Sequence, residues 1–180
     1  MYFSTEYPSP VGILTLACNA EGGLAGLWLE GQKYFGGSLS EEMSPRDDMP
    51  VFTETRRWLD RYFAGRRPAV FELPLAPVGS EFRQEVWRIL CEIPYGEVTS
   101  YGQIAAEVAK RLGKKSMSGQ AVGGAVANNP ISIIIPCHRV VGSNGSLTGY
   151  AGGIDRKIKL LTLEGVDTSR FFIPQKGTAL

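Results

Sequence analysis

TSYGQIAAEVAKRLGKKSMSGQAVGGAVANNPISIIIPCHRVV, residues 99–141, carries the pattern from which the architecture of the chain is read. Thr99 or Ser100 can cap a helix running through SYGQIAAEVAKRLG, because a short hydroxyl accepts from the backbone N–H groups that a first turn leaves unpaired. Lys110 and Arg111 fall at its far end, where the helix dipole favours positive charge. KKSMSG is a polar, basic connection, and QAVGGAVANN reads as a short helix of small residues only. Gly and Ala at helical spacing let such a helix approach another surface closely, at some cost in propensity. Two helices about a short connection fit a helix-turn-helix, a weak signal because many helical domains contain such pairs. ISIIIPCHRVV follows, and its unbroken β-branched run predicts a buried strand entering Cys137.

Upstream, Ser80 can cap SEFRQEVWRILCEI, which puts Phe82, Val86, Trp87, Leu90 and Ile93 on one stripe. Downstream, GSNGSLTGYAGG is a Gly-rich loop, and IDRKIKLLTLEG is an amphipathic helix with Ile154, Ile158, Leu160 and Leu161 turned inwards. Residues 66–79 hold three prolines, so a domain boundary is placed there, dividing the chain into 1–79 and 80–180. In the first part VGILTLACN and LAGLWLEG read as strands about the turn NAEGG. Residues 31–50 read as a loop. VFTETRRWLDRYFAG is a helix with Phe52, Trp58, Leu59, Tyr62 and Phe63 near helical spacing, ending at Gly65. The expected fold is thus α/β in two domains. A small N-terminal antiparallel sheet with a flanking helix is followed by a mainly helical C-terminal domain, with a helix-turn-helix and a short strand leading to the cysteine. Nothing in the first domain resembles a site, so its expected role is to support the second.

At 180 residues, 43% hydrophobic and 21% charged, the chain has the composition of an ordinary globular protein. No apolar run reaches the roughly 18 residues needed to cross a bilayer, so no membrane association is expected. MYFSTEYPSP lacks the basic start and apolar core of a signal peptide, which makes a cytoplasmic address the expectation. The net charge of +1 divides unevenly. Residues 1–79 carry 7 basic and 10 acidic side chains, and residues 80–180 carry 12 and 8. A basic C-terminal part fits a polyanionic partner, and equally an ordinary solvated face. Three cysteines make a poor disulfide framework. Cys18 and Cys91, in LTLACNA and WRILCEI, read as small buried hydrophobes. With a single histidine and scattered thiols there is no zinc-ligand spacing, so no structural metal is expected.

PCHRV places that histidine directly after a cysteine. A thiolate is the nucleophile, and an adjacent base or positive charge, here His138 and Arg139, raises its fraction at neutral pH. Adjacent strand residues point to opposite faces, so contact between the two would need a turn at Pro136 or a bridging water. A carboxylate must then orient His138, and Glu164 is one candidate. On these residues alone, a protease, a thiol transferase and an alkyl acceptor all stay open. GSNGSLTG has neither the lysine nor the spacing of a P-loop, which sets nucleotide hydrolysis aside.

NNPISIIIPCHRVVGSNGSLTGYAGG closely resembles the active-site region of the O6-alkylguanine-DNA alkyltransferases, also called methylated-DNA–protein-cysteine methyltransferases. The likeness continues through EFRQEVWRILCEIPYGEVTSYGQIA, AVGGAV and KLLTLEG, covering nearly the whole second domain. SPVGILTLACNAEGGL resembles the start of the family's N-terminal domain less specifically. The resemblance implies direct DNA repair, with an alkyl group moved irreversibly from guanine O6 to Cys137, and no cofactor. The partner implied is double-stranded DNA containing O6-alkylguanine, bound by a monomer, with side-by-side binding left open. His138 is then the base acting through a water, and Glu164 the carboxylate holding it. Asn129 is the hinge between the recognition helix and the cysteine segment. Tyr101 donates a proton towards guanine N3, and Tyr150 walls the pocket. The carbonyls of Cys137 and Val140 accept from the guanine amino group, and the N–H of Ala151 donates towards O6.

The bottom-up chemistry agrees with these implications. Guanine O6 faces the duplex interior, so attack requires the base to leave the stack. The family inserts the small-residue helix, with Gln120, Ala121 and Gly124, into the minor groove, where contacts carry little sequence information. Lys114, Lys115 and Arg111 would meet phosphates. Two departures stand out: Gln120 aligns with an arginine that fills the vacated base position, and Ala151 with a serine in some members. The competing readings are a lesion-binding module without transfer, which Gln120 alone supports, and a cysteine hydrolase.

Overall fold

The computed structural model describes residues 1–37, 39 and 41–175. Its N-terminal part is a four-stranded sheet: β1 (Tyr2–Ser9), β2 (Gly12–Asn19), β3 (Leu24–Leu29) and β4 (Met43–Pro45), in the order β3-β2-β1-β4. β1–β2 and β2–β3 are antiparallel, the second pair as the alternating pattern and the NAEGG turn predict. Two strands were not legible: β1, whose YFSTEYPS alternates only partially, and β4, a three-residue pairing that joins parallel to β1 within the expected loop. Helix α1 (Pro50–Phe63) lies against β1 and β2 and buries Val51, Phe52, Thr55, Trp58, Leu59 and Tyr62.

The C-terminal part is mainly helical, with α2 (Glu81–Cys91), α3 (Tyr101–Arg111), α4 (Gly119–Ala127) and α5 (Ile154–Leu163). Each of the first three starts where a serine can serve as cap. The Ser80, Ser100 and Ser118 hydroxyls accept from the N–H of Arg83, Gln103 and Ala121. Ser100 and Gln103 also close a reciprocal capping box, which anchors the first turn carrying Tyr101. α2, α3 and α4 pack on one another, so α3 and α4 make the expected helix-turn-helix against α2. A minimal parallel pair, β5 (Thr99–Ser100) and β6 (Val140–Val141), links the start of α3 to the residues just past Cys137. Among the described residues, no helix is long and apolar enough to cross a membrane.

The run before Cys137 corrects one expectation: it is buried but it is not a strand. Ile131, Ile133, Ile134 and Ile135 are at most 1% exposed, yet only Ile131 forms a bridge, to Leu27 of β3. Ile133 has a φ of 71°, which reverses the chain. The backbone then pairs with itself in tight turns, Ile134 N–H to Ser132 O and Cys137 N–H to Ile135 O, both at 2.8 Å. β-Branched composition reports burial here, and no neighbouring strand runs alongside to reward an extended chain. The edge of β3 takes up the segment at two bonds: Leu27 N–H donates to Pro130 O, and Ser132 N–H to Leu27 O. One hydrophobic core spans both parts of the chain, from Leu14 and Trp58 to Trp87, Ile104 and Cys137.

Candidate active site

Cys137, His138 and Arg139 form a single 3₁₀ turn, so consecutive side chains splay in different directions. The Cys137 thiol is 5% exposed, and burial pushes its pKa up. The Asn129 side chain, the Lys157 charge and nearby backbone N–H groups oppose that rise without cancelling it. The thiol is therefore protonated at rest, and a base is needed to make it a nucleophile.

His138 is fully buried and does not bond to the thiol; its Nε2 lies 2.5 Å from Glu164 Oε2. Burial lowers the imidazole's pKa, although Glu164 pulls the other way. Burial would by itself raise Glu164, but the hydrogen bonds from His138 and Arg139, with the positive charge beside it, outweigh that and hold the carboxyl at about 2. Since burial keeps the imidazole neutral, the lasting positive charge is that of Arg139, whose Nε donates to Glu164 Oε1 at 2.7 Å. An ionised carboxylate only accepts, so Nε2 carries the hydrogen and Nδ1 the lone pair. Nδ1 has no hydrogen-bond partner among the described residues. This pair thus offers an unprotonated ring nitrogen in a buried site.

Glu164 closes α5 and collects two further donors: Tyr62 Oη at 2.6 Å and the Gly96 N–H at 3.1 Å. At Gly96, with φ of 80°, a β-carbon would come within 3.0 Å of the Glu164 carbonyl oxygen, so the close approach requires glycine. Asn129 is buried at the end of α4, where its Oδ1 accepts from Ile131 N–H at 3.0 Å and its Nδ2 donates to Ile135 O at 2.8 Å. It thereby ties together both ends of the turn that presents the cysteine.

Across the thiol, Tyr101 donates from Oη to the Thr148 carbonyl at 3.2 Å. Its hydroxyl is raised well above the ordinary range, by burial first and by Cys137 second. Lys157 on α5 is fully buried, and its Nζ donates to the carbonyls of Val140 and Thr148. Burial lowers its pKa to about 8. Tyr150 is buried, and its Oη has no hydrogen-bond partner among the described residues. It also lines a cavity of about 310 Å³ whose wall includes Lys33, Tyr34, Ala127 and Ala151. The Ala151 carbonyl accepts from Lys33 N–H at 3.1 Å.

Cys137, His138, Glu164, Tyr101, Asn129, Val140 and Tyr150 are therefore brought together, while Ala151 lines the adjoining cavity beside Tyr150. Gln120, Ala121 and Gly124 are exposed along α4, with Lys114 and Lys115 exposed just before it. Arg111 is exposed as well, but its guanidinium is engaged by carboxylates. It bonds Glu92 at 2.6 Å, Glu107 at 2.8 Å and Glu85 at 3.4 Å, so its charge is already neutralised. Three participants were missed. Lys157 does sit on the inward stripe with Ile154 and Leu161, a placement the helical period reveals. Tyr62 lay on the apolar stripe of α1 and passed for core. Gly96 carried no signal beyond its turn.

Comparison with known proteins adds independent findings. Residues 81–166 match the family model described as 6-O-methylguanine DNA methyltransferase, DNA binding domain. Residues 1–77 match the one described as 6-O-methylguanine DNA methyltransferase, ribonuclease-like domain. A methylated-DNA–protein-cysteine methyltransferase of Haemophilus influenzae is 39% identical over 164 residues, covering 91% of this chain and 87% of its own. One from Methanosarcina acetivorans is 44% identical over 165 residues, covering 92% and 99%. Among solved structures, Mycobacterium tuberculosis OGT in complex with DNA superposes with a TM-score of 0.74 at 39% identity, covering 94% of each chain.

Proposed function

Because the chain belongs to the 6-O-methylguanine DNA methyltransferase family, we propose that Cys137 is the residue through which it repairs DNA, taking the alkyl group of an O6-alkylguanine once per molecule. The observation that carries this is the buried set Cys137, His138 and Glu164, with the imidazole held by the carboxylate through Nε2 and its Nδ1 lone pair unclaimed.

The chemistry follows from that arrangement. A water between Sγ and Nδ1 takes the thiol proton and passes one to the imidazole, which becomes an imidazolium paired with Glu164. The thiolate attacks the alkyl carbon; the S–C bond forms and the C–O6 bond breaks, its electron pair remaining on guanine. Tyr101 neutralises the departing purine by donating towards N3, and the Ala151 N–H donates towards O6. The carbonyls of Cys137 and Val140 receive the guanine amino group, each already accepting one bond, from Val140 N–H and from Lys157 respectively. A carbonyl oxygen has two lone pairs, so one remains for substrate. Tyr150 forms a wall against the flat base. The thioether product has no labile bond, which makes the protein single-turnover.

The base reaches this site only by leaving the duplex. Gln120, Ala121 and Gly124 form the exposed face of α4 that enters the minor groove, and Lys114 and Lys115 meet phosphates beside it. Arg111, held by three carboxylates, is left out of that set. We place the domain boundary between residues 79 and 80. We also place the protein in the cytoplasm, acting as a monomer, with side-by-side binding on longer duplexes as a question for sedimentation.

Intact-protein mass after incubation with a duplex holding one O6-methylguanine tests the reading, with Cys137→Ser as control. A gain of about one methylene on the unaltered chain alone, saturating at one per molecule, is expected. DNA binding without any gain would instead make this a lesion binder.

A further inference from the structure

Tyr62 brings the N-terminal part of the chain to the carboxylate of the active site. It lies in the last turn of α1, is 1% exposed, and donates from Oη to Glu164 Oε2 at 2.6 Å. That is the oxygen that also takes the His138 Nε2 hydrogen. We propose that Tyr62 is a positioning residue for alkyl transfer: its hydroxyl orients Glu164 and moderates the carboxylate's pull on His138, so that the N-terminal part belongs to the proton-accepting machinery. The inference rests on the roles given above to Cys137 and His138.

Three observations support it. First, the carboxylate is saturated, with Arg139 Nε and Gly96 N–H on Oε1, and His138 Nε2 and Tyr62 Oη on Oε2. A carboxylate offers about four acceptor sites, and Tyr62 fills the last. Second, Glu164 is the hydroxyl's sole hydrogen-bond partner among the described residues, which gives the oxygen no other task among them. The ring is held independently, stacked on Trp58 at 5.6 Å and edge-on to Tyr95 at 6.0 Å. Phenylalanine would fill that slot without burying a polar group, and a buried hydroxyl is favourable only with a partner. Third, a bond to a charged acceptor is among the stronger ones, so its loss is measurable.

The electrostatic surroundings fix the sign of the effect. Arg139 on the cysteine turn and Lys157 on α5 both disfavour a charged imidazole, and Glu164 favours it. Cys137 and Tyr150 face the same space, and Tyr95, with Arg67 and Arg139 over its ring, borders Glu164. Removing the Tyr62 donor leaves the Glu164 charge less shared, which strengthens its hold on the imidazolium. The acid limb of the pH–rate profile then moves to higher pH.

The test is single-turnover methyl transfer from an O6-methylguanine duplex at saturating DNA, followed between about pH 5 and 9. For Tyr62→Phe, a transfer rate about tenfold slower is expected, with unchanged DNA affinity and an acid limb shifted upward. The substitution should add nothing in a Glu164→Gln background, because it acts through that carboxylate. Incorporating 3-fluorotyrosine at position 62 keeps ring and hydroxyl but strengthens the donor, and should move the limb downward. This second variant decides the matter should the phenylalanine variant not fold. Wild-type rate and profile in both variants, or an undiminished effect in the Glu164→Gln background, would reduce Tyr62 to a packing role. Absence of transfer by the unaltered chain would instead overturn the underlying assignment of Cys137.

Discussion

Tyr101 Oη lies so close to Gly149 that a β-carbon at position 149 would come within 2.4 Å of it. Gly149 has a φ of 86°, and the preceding carbonyl, that of Thr148, accepts the Tyr101 hydroxyl at 3.2 Å. The loop and the tyrosine are thus fitted to each other at a backbone conformation that side chains rarely adopt. Gly149→Ala must move one of them. With a displacement near 1 Å, transfer from an O6-methylguanine duplex should slow by about 10²-fold. DNA affinity, measured by fluorescence anisotropy, should hold. Transfer at the wild-type rate would mean that this contact does not position Tyr101.

Lys157 is a buried cation with carbonyl partners in place of a carboxylate. Burial lowers its pKa from 10.5 to about 8. Between those values the unfolded chain holds more protons than the folded one, so stability rises with pH across that window. Lys157→Met removes the titration and should flatten this rise in urea unfolding at about pH 7.5 and 10. It should also slow transfer by unmooring the Val140 carbonyl. An unchanged slope would show that the lysine is hydrated in the folded protein.

Glu164 has the opposite linkage. Its pKa falls from 4.5 to about 2 in the folded chain, under Arg139 and His138 acting against burial. The stability it confers is complete above about pH 4.5 and is lost as the pH falls towards 2, amounting to about 3 kcal/mol. Glu164→Gln should abolish that acid sensitivity. It should also cost about 3–5 kcal/mol at neutral pH by leaving Arg139 buried without its counter-charge. Acid titration of the unfolding free energy in both proteins checks this; parallel curves would rule it out.

Gln120 stands exposed in the first turn of α4, among small residues. Gln120→Arg adds one cation on the face assigned to the minor groove. Affinity for duplex DNA should rise, and the dependence of log K on log salt should steepen by about one phosphate contact. A salt slope equal to that of the unaltered chain would mean that this face of α4 points away from the backbone of the DNA.

The candidate pair Cys137 and His138 was legible because PCHRV puts the chain's single histidine beside a cysteine, and the family resemblance ordered Glu164, Asn129 and Tyr101 around it. Helix limits were also readable within a residue or two, since Ser80 and Ser100 announce first turns through chemistry local to the sequence. The segment 131–136 was misread for a physical reason. Four isoleucines declare burial, but whether a buried run extends or turns depends on whether a strand lies beside it, and β3 offers only the bridge at Leu27.

Local pattern alone determined the two-part architecture, the helices with their caps and the β2–β3 hairpin, because each depends on residues near one another along the chain; it marked Cys137 and His138 only as candidates, and the family resemblance made them the expected nucleophile and base. Tertiary structure alone decided the ionisation of that base and the shape of its surroundings. Tyr62 is 102 residues from the carboxylate it bonds. Lys157 becomes a caged cation only when α5 packs over Val140 and Thr148, and Arg111 is claimed by carboxylates on α2 and beyond it. Burial, charge proximity and competition for hydrogen-bond partners are properties of a packed neighbourhood, and that neighbourhood is assembled from distant parts of the chain.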